Sequence, residues 1–474
     1  MKRNFSLFFS LILIFGLMLA SCQNQPSSPG QEEPNPIASF LQPSVKIQYT
    51  NNYIVKFSSA NLPSRANEII LRKGAKIHAE LYDENNGYTV VKGLTKQEAE
   101  ELKKVDGVES VARDIIVQWV PDVSQTKVLN RQPPSLNSHD PSDAFLFDEF
   151  QWNMKQIDAD DAWAAGAQAD PDVLVGILDT GINPTHPDLA GRVNTSLSRT
   201  FVTSSPHAPD LTSFDDFNFH GTHVAGIVTT NGIGTAGVAP HATVVAIKVL
   251  NAFGFGSFSD VIDGILYAAS IPVDVINMSL GAVVPTTPEN KPLFDALKAA
   301  IRVALNHGVY VVASAGNDAI NLDTAKDSGF LVVPAQSEGR VARISATAPF
   351  NQQNFDGLAS YSNFGAHNIS VAAPGGDFIS GNVKDLILSP CSQSSILVPV
   401  CQTGAFYLFV AGTSQAAPHV SGAAALLDSR FGGKLSGEQI KRRIEASADD
   451  LGNPVAHGHG RLNVFKMLFG SSPN

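Results

Sequence analysis

Three segments of the chain carry the residue types that hydrolases use to activate a hydroxyl group. They are Val175-Gly-Ile-Leu-Asp179-Thr-Gly, His220-Gly-Thr-His223-Val-Ala-Gly and Gly412-Thr-Ser414-Gln-Ala-Ala-Pro-His. A serine hydroxyl is a weak nucleophile at neutral pH unless a general base lies beside it, and a histidine base needs a partner that fixes its tautomer. Asp, His and Ser in this chain order match one of the known orders of serine-protease triads. The sequence therefore predicts a catalytic triad of Asp179, His220 and Ser414.

Each segment taken alone has a second interpretation. Asp179 is also a suitable turn residue after a strand, and Ser414 is a suitable N-cap for the helix that follows it. His220 alone fits either a metal site or a structural histidine, although zinc is disfavoured because the H-E-x-x-H spacing does not occur. His223 lies inside the same helical segment, so we expect it to be structural.

The elements that position these residues follow from the hydrophobic pattern. Short runs rich in Val, Ile and Ala predict strands at residues 173–178, 243–249, 273–278, 309–313, 341–346 and 369–372. Helical stretches lie between them at residues 223–229, 258–269, 293–307 and 414–430. This alternation predicts a large α/β domain, residues 150–474, whose mainly parallel sheet is covered on both faces. Ligands of such sheets collect at the carboxyl ends of the strands, where Asp179 lies.

A smaller unit at residues 49–119 precedes that domain. Its strand-like runs cover residues 53–57, 75–82, 87–92 and 108–118. A polar-apolar stretch follows the first of these runs. Thr95 and Glu98 form the capping box of a helix that precedes the last run. The order β-α-β-β-α-β predicts a ferredoxin-like α+β fold. Residues 120–149 are rich in Pro, Ser, Asn and Asp, and they predict an exposed linker with a maturation site.

The N-terminus predicts export. Two basic residues precede an apolar run at residues 8–20, which ends in Leu19-Ala-Ser-Cys22 and has the architecture of a signal peptide. A transmembrane helix is the alternative, but the run is shorter than the roughly 20 residues that a span needs. The ending resembles the bacterial lipobox, so residues 1–21 would be removed and Cys22 would carry lipid. Residues 22–48 would then tether the protein to the bacterial cell envelope until removal of the first unit releases it.

The composition fits a globular enzyme and excludes one class of partner. Of the 474 residues, 43% are hydrophobic and 16% are charged, which suits a buried core. The net charge is −11 and there is no long Lys/Arg run, so we expect no nucleic acid partner. Cys391 and Cys401 lie close together in an exported chain, which favours a local disulfide over two unpaired buried thiols.

The three motifs resemble the signature blocks of the subtilisin-like serine proteases, and the similarity spans residues 152–468. The resemblance implies that Ser414 is the nucleophile, His220 its general base and then acid, and Asp179 the group that orients the imidazole. It also implies an oxyanion hole made by Asn317, in Ala313-Ser-Ala-Gly-Asn317, and the backbone N–H of Ser414. The expected activity is a serine endopeptidase that cleaves proteins or peptides through an acyl-enzyme and requires no cofactor for catalysis.

Three other parts of the sequence resemble functional parts of the same family. Two segments resemble those that bind substrate as added strands, and they contain Ser279, Leu280, Gly281, Gly254, Phe255 and Gly256. The unit at residues 49–119 resembles the family's inhibitory propeptide. The resemblance implies a self-processing zymogen whose residues 114–120 lie in the active site.

The chain departs from the calcium-binding members of the family after Gly226. Residues 227–240 form a shorter stretch than theirs and lack the Asn-rich loop, although Asp188 is retained. A structural calcium ion therefore stays an open alternative, and we assign no metal ligand from the sequence.

Two other functions on the same scaffold are disfavoured by the residues present. A catalytically inactive binding module usually lacks a triad member or the oxyanion Asn, and all four residues are present here. An esterase of the nucleophile-elbow type would carry G-x-S-x-G around Ser414, and that pattern is absent.

Overall fold

The computed structural model of the protein describes residues 48–58, 61–72, 76–82, 87–120, 126–129, 131–138 and 140–471. The predicted signal peptide, Cys22 and nearly all of the predicted tether lie outside the described residues. Within the described ranges, no helix has both the length and the apolar character that crossing a membrane requires.

The N-terminal unit is an antiparallel sheet with two helices. Its elements are β1 (Gln48–Phe57), α1 (Ser64–Arg72), β2 (Lys76–Tyr82), β3 (Gly87–Lys92), α2 (Lys96–Leu102) and β4 (Val108–Gln118), and the sheet order is β2-β3-β1-β4. Helix α2 begins at the capping box that the sequence predicted. The Thr95 side chain accepts the N–H of Glu98 at 3.3 Å, and the Glu98 side chain accepts the N–H of Thr95 at 2.7 Å.

Side chains of β1 alternate between two apolar clusters, as the period of a strand requires. Tyr53, Val55 and Phe57 pack against the helices of their own unit. Ile54 points to the opposite face and belongs to a cluster that includes Phe258 of the larger domain. The N-terminal unit is therefore docked on the larger domain through one face of its sheet.

The larger domain follows the predicted alternation of strands and helices. Its strands are β5 (Lys127–Leu129), β6 (Leu174–Asp179), β7 (Arg199–Thr200), β8 (Thr243–Lys248), β9 (Phe255–Ser257), β10 (Val275–Met278), β11 (Ala282–Pro285), β12 (Tyr310–Ser314), β13 (Phe330–Val333), β14 (Ala342–Phe350), β15 (Gln353–Leu358), β16 (Val371–Pro374), β17 (Ile387–Pro390) and β18 (Tyr407–Val410). Its helices are α3 (Phe147–Phe150), α4 (Trp152–Gln156), α5 (Ala159–Ala164), α6 (His220–Val228), α7 (Phe258–Ser270), α8 (Lys291–Asn306), α9 (Leu322–Ala325), α10 (Thr413–Arg430), α11 (Gly437–Ser447), α12 (Pro454–His457) and α13 (Val464–Phe469).

The main sheet has the order β15-β14-β12-β10-β6-β8-β7, and β16 also pairs with β14. Its pairs are parallel except that of β14 with β15, which confirms the predicted mainly parallel sheet. Strands β6, β10, β12 and β16 are buried along their whole length. This burial explains why their sequences are continuous apolar runs without alternation.

Helices cover both faces of this sheet. Residues of α6 and α10 share one cluster with Val175 and Ile177 of β6, and residues of α7 and α8 share the other with Leu174 and Leu178. Helix α6 begins at His220, three residues before the predicted start. The early start places His220 in the first helical turn, beside the carboxyl end of β6.

The prediction of an exposed linker at residues 120–149 is wrong for part of that segment. Residues 127–129 form β5, which pairs with β18, and Phe147–Phe150 form α3. Leu146 is fully buried in a cluster with Phe150 and Tyr407, and its N–H bonds to the carbonyl oxygen of Gly234 at 2.9 Å. The Pro- and Asn-rich composition concealed these apolar residues because they are too few to show a period. The larger domain therefore begins before residue 150.

A second sheet, β17-β18-β5, lies beside the main one. Cys391 directly follows β17 and Cys401 precedes β18, and the two are joined by a disulfide bond. This is the pairing that the short sequence separation favoured.

The packing of the former linker can be tested by a matched pair of leucines. Leu146 is 0% exposed and Leu136 is 62% exposed. In a Ser414→Ala background, Leu146→Ala should lower the free energy of unfolding by roughly 2–5 kcal/mol, because it leaves a cavity. Leu136→Ala should change it by less than about 0.5 kcal/mol. Urea unfolding followed by tryptophan fluorescence measures both, and equal small effects would contradict the buried position of Leu146.

Candidate active site

Asp179 and His220 are brought together at the carboxyl edge of the main sheet. Asp179 is the last residue of β6 and is fully buried. His220 Nδ1 lies 2.8 Å from Asp179 Oδ1 and 3.0 Å from Oδ2. The close approach depends on Gly221, since a Cβ there would lie 2.1 Å from the carbonyl oxygen of Gly181. Two residues that are 41 positions apart in the chain thus form one charge-assisted pair.

The protonation of His220 is set by two opposing effects. Burial alone lowers the pKa of an imidazole, since a charged ring is poorly solvated there. The charge of Asp179 and its hydrogen bond to Nδ1 act in the other direction, with a smaller contribution from Asp216, and the pKa of His220 is raised above its usual value. The site therefore stabilises the imidazolium form that a general base passes through.

Ser414 lies at the same edge of the sheet, in the first turn of α10. Its Oγ donates to the carbonyl oxygen of Ser279 at 3.0 Å, and Ser279 directly follows β10, the neighbour of β6. Among the described residues, no hydrogen bond joins Ser414 Oγ to His220. Catalytic hydrogen bonds are often long or poorly aligned without substrate and tighten only when it binds.

Asn317 is held so that its amide N–H₂ group faces a small space. Its Oδ1 accepts the N–H of Thr413 at 2.9 Å and the hydroxyl of Thr413 at 2.7 Å. A Cβ at Gly412 would lie 3.5 Å from Asn317 Nδ2 and 3.6 Å from the backbone N of Ser414. The two donors therefore lie near the same side of Gly412, where Gln415 Oε1 is closer still, at 2.8 Å from that Cβ position.

Two residues that position Ser414 and Asn317 were not evident from the sequence. Thr413 fixes the amide of Asn317, and its position beside Ser414 was the available signal. Ser279 was assigned only to substrate binding, yet its Oγ also donates to the carbonyl oxygen of Ser414 at 2.8 Å. Asn277 donates to Ser279 Oγ at 2.9 Å and accepts from Ser421 at 2.8 Å. This chain of buried polar groups could not be seen in the sequence because its members are far apart.

A buried lysine supports the turn after Asp179. Lys248 Nζ is fully buried, donates to the carbonyl oxygen of Thr180 and lies 3.0 Å from Asp210 Oδ1. Asp216 accepts from Thr180 Oγ1 at 2.9 Å and from Thr222 Oγ1 at 2.6 Å. Burial raises the pKa of Asp216, although Lys248 and these hydroxyl groups oppose the rise.

His223 does not belong to the catalytic group. It is fully buried, its Nε2 lies 3.0 Å from the carbonyl oxygen of Leu408, and burial lowers its pKa to about 3. A buried ring with a lowered pKa and a backbone partner is that of a structural histidine, as the sequence predicted.

The predicted substrate-binding segments lie on either side of the end of β4. Strand β9, which contains Phe255 and Gly256, pairs antiparallel with β4, with Val117 opposite Gly256. Beyond β4, the N–H of Trp119 donates to the carbonyl oxygen of Gly254 at 3.0 Å, and the N–H of Gly281 donates to the carbonyl oxygen of Trp119 at 3.0 Å. Both segments thus bind an extended backbone, in the manner of strand addition.

The residues around Asp188 do not fit a calcium ion. The carboxylate accepts the N–H groups of Ile233 at 2.7 Å, Gly234 at 3.1 Å and Thr235 at 3.0 Å. It also accepts the hydroxyl of Tyr407 at 2.9 Å. Calcium takes oxygen lone pairs, whereas this shell points hydrogens at the carboxylate. With the Thr235 hydroxyl, which donates at 3.3 Å, five hydrogen-bond donors surround this carboxylate in the described part of the chain.

Comparisons with known proteins agree with this geometry. The sequence model of the subtilase family (Peptidase S8) matches residues 170–460. Subtilisin E of Bacillus subtilis (strain 168) is 30% identical over 470 residues, which are 98% of this chain and 98% of that protein. The thermophilic serine proteinase of Bacillus sp. (strain AK1) is 33% identical over 332 residues, 69% of each chain.

Solved structures show the same fold. A lanthipeptide protease superposes with a TM-score of 0.58 at 29% identity, covering 68% of this chain and 94% of that one. The epidermin leader peptide processing serine protease of Staphylococcus aureus gives a TM-score of 0.68 at 22% identity, covering 89% of this chain and 99% of that one. At that identity the second likeness is evidence for the fold alone.

The position of Asn317 predicts a selective effect on turnover. If Asn317 is an oxyanion donor, Asn317→Ala should lower kcat by roughly 100- to 1,000-fold, with little change in KM. That magnitude comes from a subtilisin, a relative of this chain. Steady-state hydrolysis of a peptide substrate measures the effect, and thermal unfolding checks that the variant is folded. Near-normal turnover would rule out this role for Asn317.

Proposed function

The chain belongs to the subtilase family and is a serine endopeptidase, and on that premise we propose that Asp179, His220 and Ser414 are its catalytic triad. The observation that carries this proposal is the buried contact of His220 Nδ1 with Asp179 at 2.8 Å. That contact fixes the Nδ1–H tautomer and leaves Nε2 as the proton acceptor. Ser414 supplies a hydroxyl group at the same edge of the main sheet.

The reaction divides into two steps that use the same groups. Ser414 Oγ attacks the scissile carbonyl carbon while His220 Nε2 takes its proton, and Asp179 stabilises the resulting imidazolium. Asn317 Nδ2 and the N–H of Ser414 stabilise the oxyanion. The imidazolium then protonates the leaving amine, which leaves an acyl-enzyme. Water, activated by His220, hydrolyses this ester and restores Ser414.

The N-terminal unit supports the proposal of an inhibitory, ferredoxin-like propeptide. Its order β-α-β-β-α-β and its sheet order β2-β3-β1-β4 fit such a fold. Trp119 beyond β4 is almost completely buried, its ring centroid lies 5.1 Å from that of Phe258, and its Nε1 donates to the carbonyl oxygen of Gly256 at 2.9 Å. A chain segment bound so closely between the two substrate-binding segments would block a protein substrate.

Buried polar contacts at the same interface make the docking specific. Asp114 of β4 is fully buried and accepts from the hydroxyl of Ser259, in the first turn of α7, at 2.6 Å. Asn52 of β1 donates to the same hydroxyl at 3.0 Å. A carboxylate beside the N-terminus of a helix is also favoured by the helix dipole. These contacts support intramolecular inhibition by the enzyme's own propeptide.

The enzyme's own Ser414 would remove this propeptide. Val120 still bonds to Gly254, while Lys127 already pairs with Phe409 of β18. We therefore propose a cut between Val120 and Lys127, which lies within the linker at residues 120–149 that the sequence predicted. Holding the junction in the active site makes the first cut effectively unimolecular.

Processing provides a direct test of the triad. Ser414→Ala should accumulate as a precursor that retains residues 49–119, because the triad acts as a unit and loses nearly all activity without its nucleophile. Ser429→Ala, a serine further along α10, should mature like the wild type. Intact-mass spectrometry of the purified proteins measures processing. Maturation of purified Ser414→Ala at the wild-type site and rate would overturn autoprocessing, and failure of the wild type to react with a fluorophosphonate would overturn the triad.

We also propose that the protein is exported and held in the bacterial cell envelope by lipid on Cys22, until propeptide removal releases it. The support is the sequence Leu19-Ala-Ser-Cys22 after an apolar run. Cys22→Ser should move the precursor from the membrane fraction to the soluble fraction, because the acyl chains supply the membrane affinity. Fractionation of the Ser414→Ala precursor with and without Cys22→Ser measures this. Unchanged membrane association, together with an unacylated N-terminal peptide in the wild type, would contradict the anchor.

A further inference from the structure

The disulfide closes a loop that lies against the turn leading into His220. We name residues 391–401 the disulfide loop and residues 216–219 the histidine turn. Both cysteines are fully buried, in a cluster that includes Phe219 of the histidine turn. The disulfide loop therefore contacts the turn that precedes His220, although the two segments are far apart in the sequence.

The disulfide loop donates hydrogen bonds to three consecutive carbonyl groups of the histidine turn. Ser392 Oγ donates to the carbonyl oxygen of Asp216, and Ser395 Oγ donates to that of Asn218. The carbonyl oxygen of Phe217, between those two residues of the turn, accepts the backbone N–H of Ile396 at 2.9 Å. Three successive carbonyl groups of the turn are thus fixed by one loop.

Two side chains of the histidine turn itself bind the N–H groups of the turn and of His220. Asp216 Oδ1 accepts the N–H groups of Asn218 at 3.0 Å and Phe219 at 3.1 Å. Asn218 Oδ1 accepts the N–H of His220 at 3.2 Å. Phe219 has φ = 152°, a backbone angle that residues other than glycine rarely adopt. Such a conformation persists only where its surroundings hold it.

We propose that the disulfide loop is a brace for catalysis, in which Ser392 and Ser395 are positioning residues that keep His220 aligned with Asp179 and Ser414. The proposal rests on the function assigned to His220 above and adds residues outside the triad to it. Ser395 is fully buried and also accepts the N–H of Val398 at 3.0 Å, so its hydroxyl links the loop to the turn. The disulfide joins the two ends of the loop, Cys391 directly after β17 and Cys401 before β18.

A brace and a purely structural loop make different predictions. If the loop only stabilises the fold, loosening it lowers stability but leaves each folded molecule fully active. If it positions His220, each folded molecule turns over more slowly, because small displacements of a catalytic group are costly in rate. The measurement must therefore be made per active site.

Ser395→Ala is the test, and Ser389→Ala is the matched control. Ser389 is also a buried serine whose hydroxyl donates to a carbonyl group of α6, that of His223 at 2.7 Å, beyond the first helical turn. Active sites of the mature enzymes are titrated with a fluorophosphonate, and kcat, KM and the pH profile are measured on one peptide substrate. Ser395→Ala should lower kcat by about tenfold or more with KM within about twofold. Ser389→Ala should match the wild type in both constants.

The pH profile gives a second readout. Contact with Asp179 raises the pKa of His220. Since the neutral ring is the active base, loosening that contact should move the acid limb of kcat to lower pH in Ser395→Ala. The control should keep the wild-type profile. Ser392→Ala and the double variant Cys391→Ala with Cys401→Ala should show the same two changes, so that the test does not depend on one variant folding.

Two outcomes separate the brace from the triad. A wild type that neither titrates nor cleaves the peptide overturns the proposed function itself. An active wild type with Ser395→Ala equal to Ser389→Ala in kcat and pH profile overturns the brace alone.

Discussion

The buried bond between Asp179 and His220 is the constraint on which the rest of the structure depends. A carboxylate that is removed from water is costly unless several partners bind it, and the carboxylate of Asp179 is also bonded to the N–H of Thr180 at 2.7 Å. Lys248 and Asp216 both bind Thr180, in the turn that follows Asp179. The end of β6 and the start of α6 are therefore fixed relative to each other, which is the precision that a general base needs.

The sheet β17-β18-β5 supports this pair from outside the main sheet. Tyr407 of β18 donates to Asp188, where three backbone N–H groups replace the oxygen shell of a cation. The loop between β17 and β18 contacts the turn before His220. This small sheet therefore has two tasks: it supplies one donor to the buried carboxylate of Asp188, and its connecting loop supplies three donors to the turn before His220. Both tasks follow from its position beside α6.

Recognition at the other side of the site relies mainly on backbone groups. Strand β9 and Gly281 pair with an extended chain through N–H and carbonyl groups, and such pairing tolerates many side chains. Specificity then comes from pockets, as Trp119 illustrates by packing on Phe258. A free strand edge is a template for pairing, and in this structure β4 of the N-terminal unit covers the edge of β9.

The sequence by itself determined the parallel sheet, the N-terminal order of elements and the blocks that contain Asp179, His220 and Ser414. Buried parallel strands are continuous apolar runs, and each short motif contains its polar residue together with the end of the strand or the start of the helix that positions it. The tertiary structure alone decided the burial of Leu146, the donors around Asp188 and the contact of Ser395 with the histidine turn. Each of these depends on partners more than 40 positions away. Local pattern and spacing carry no information about such pairs, since only packing brings them together.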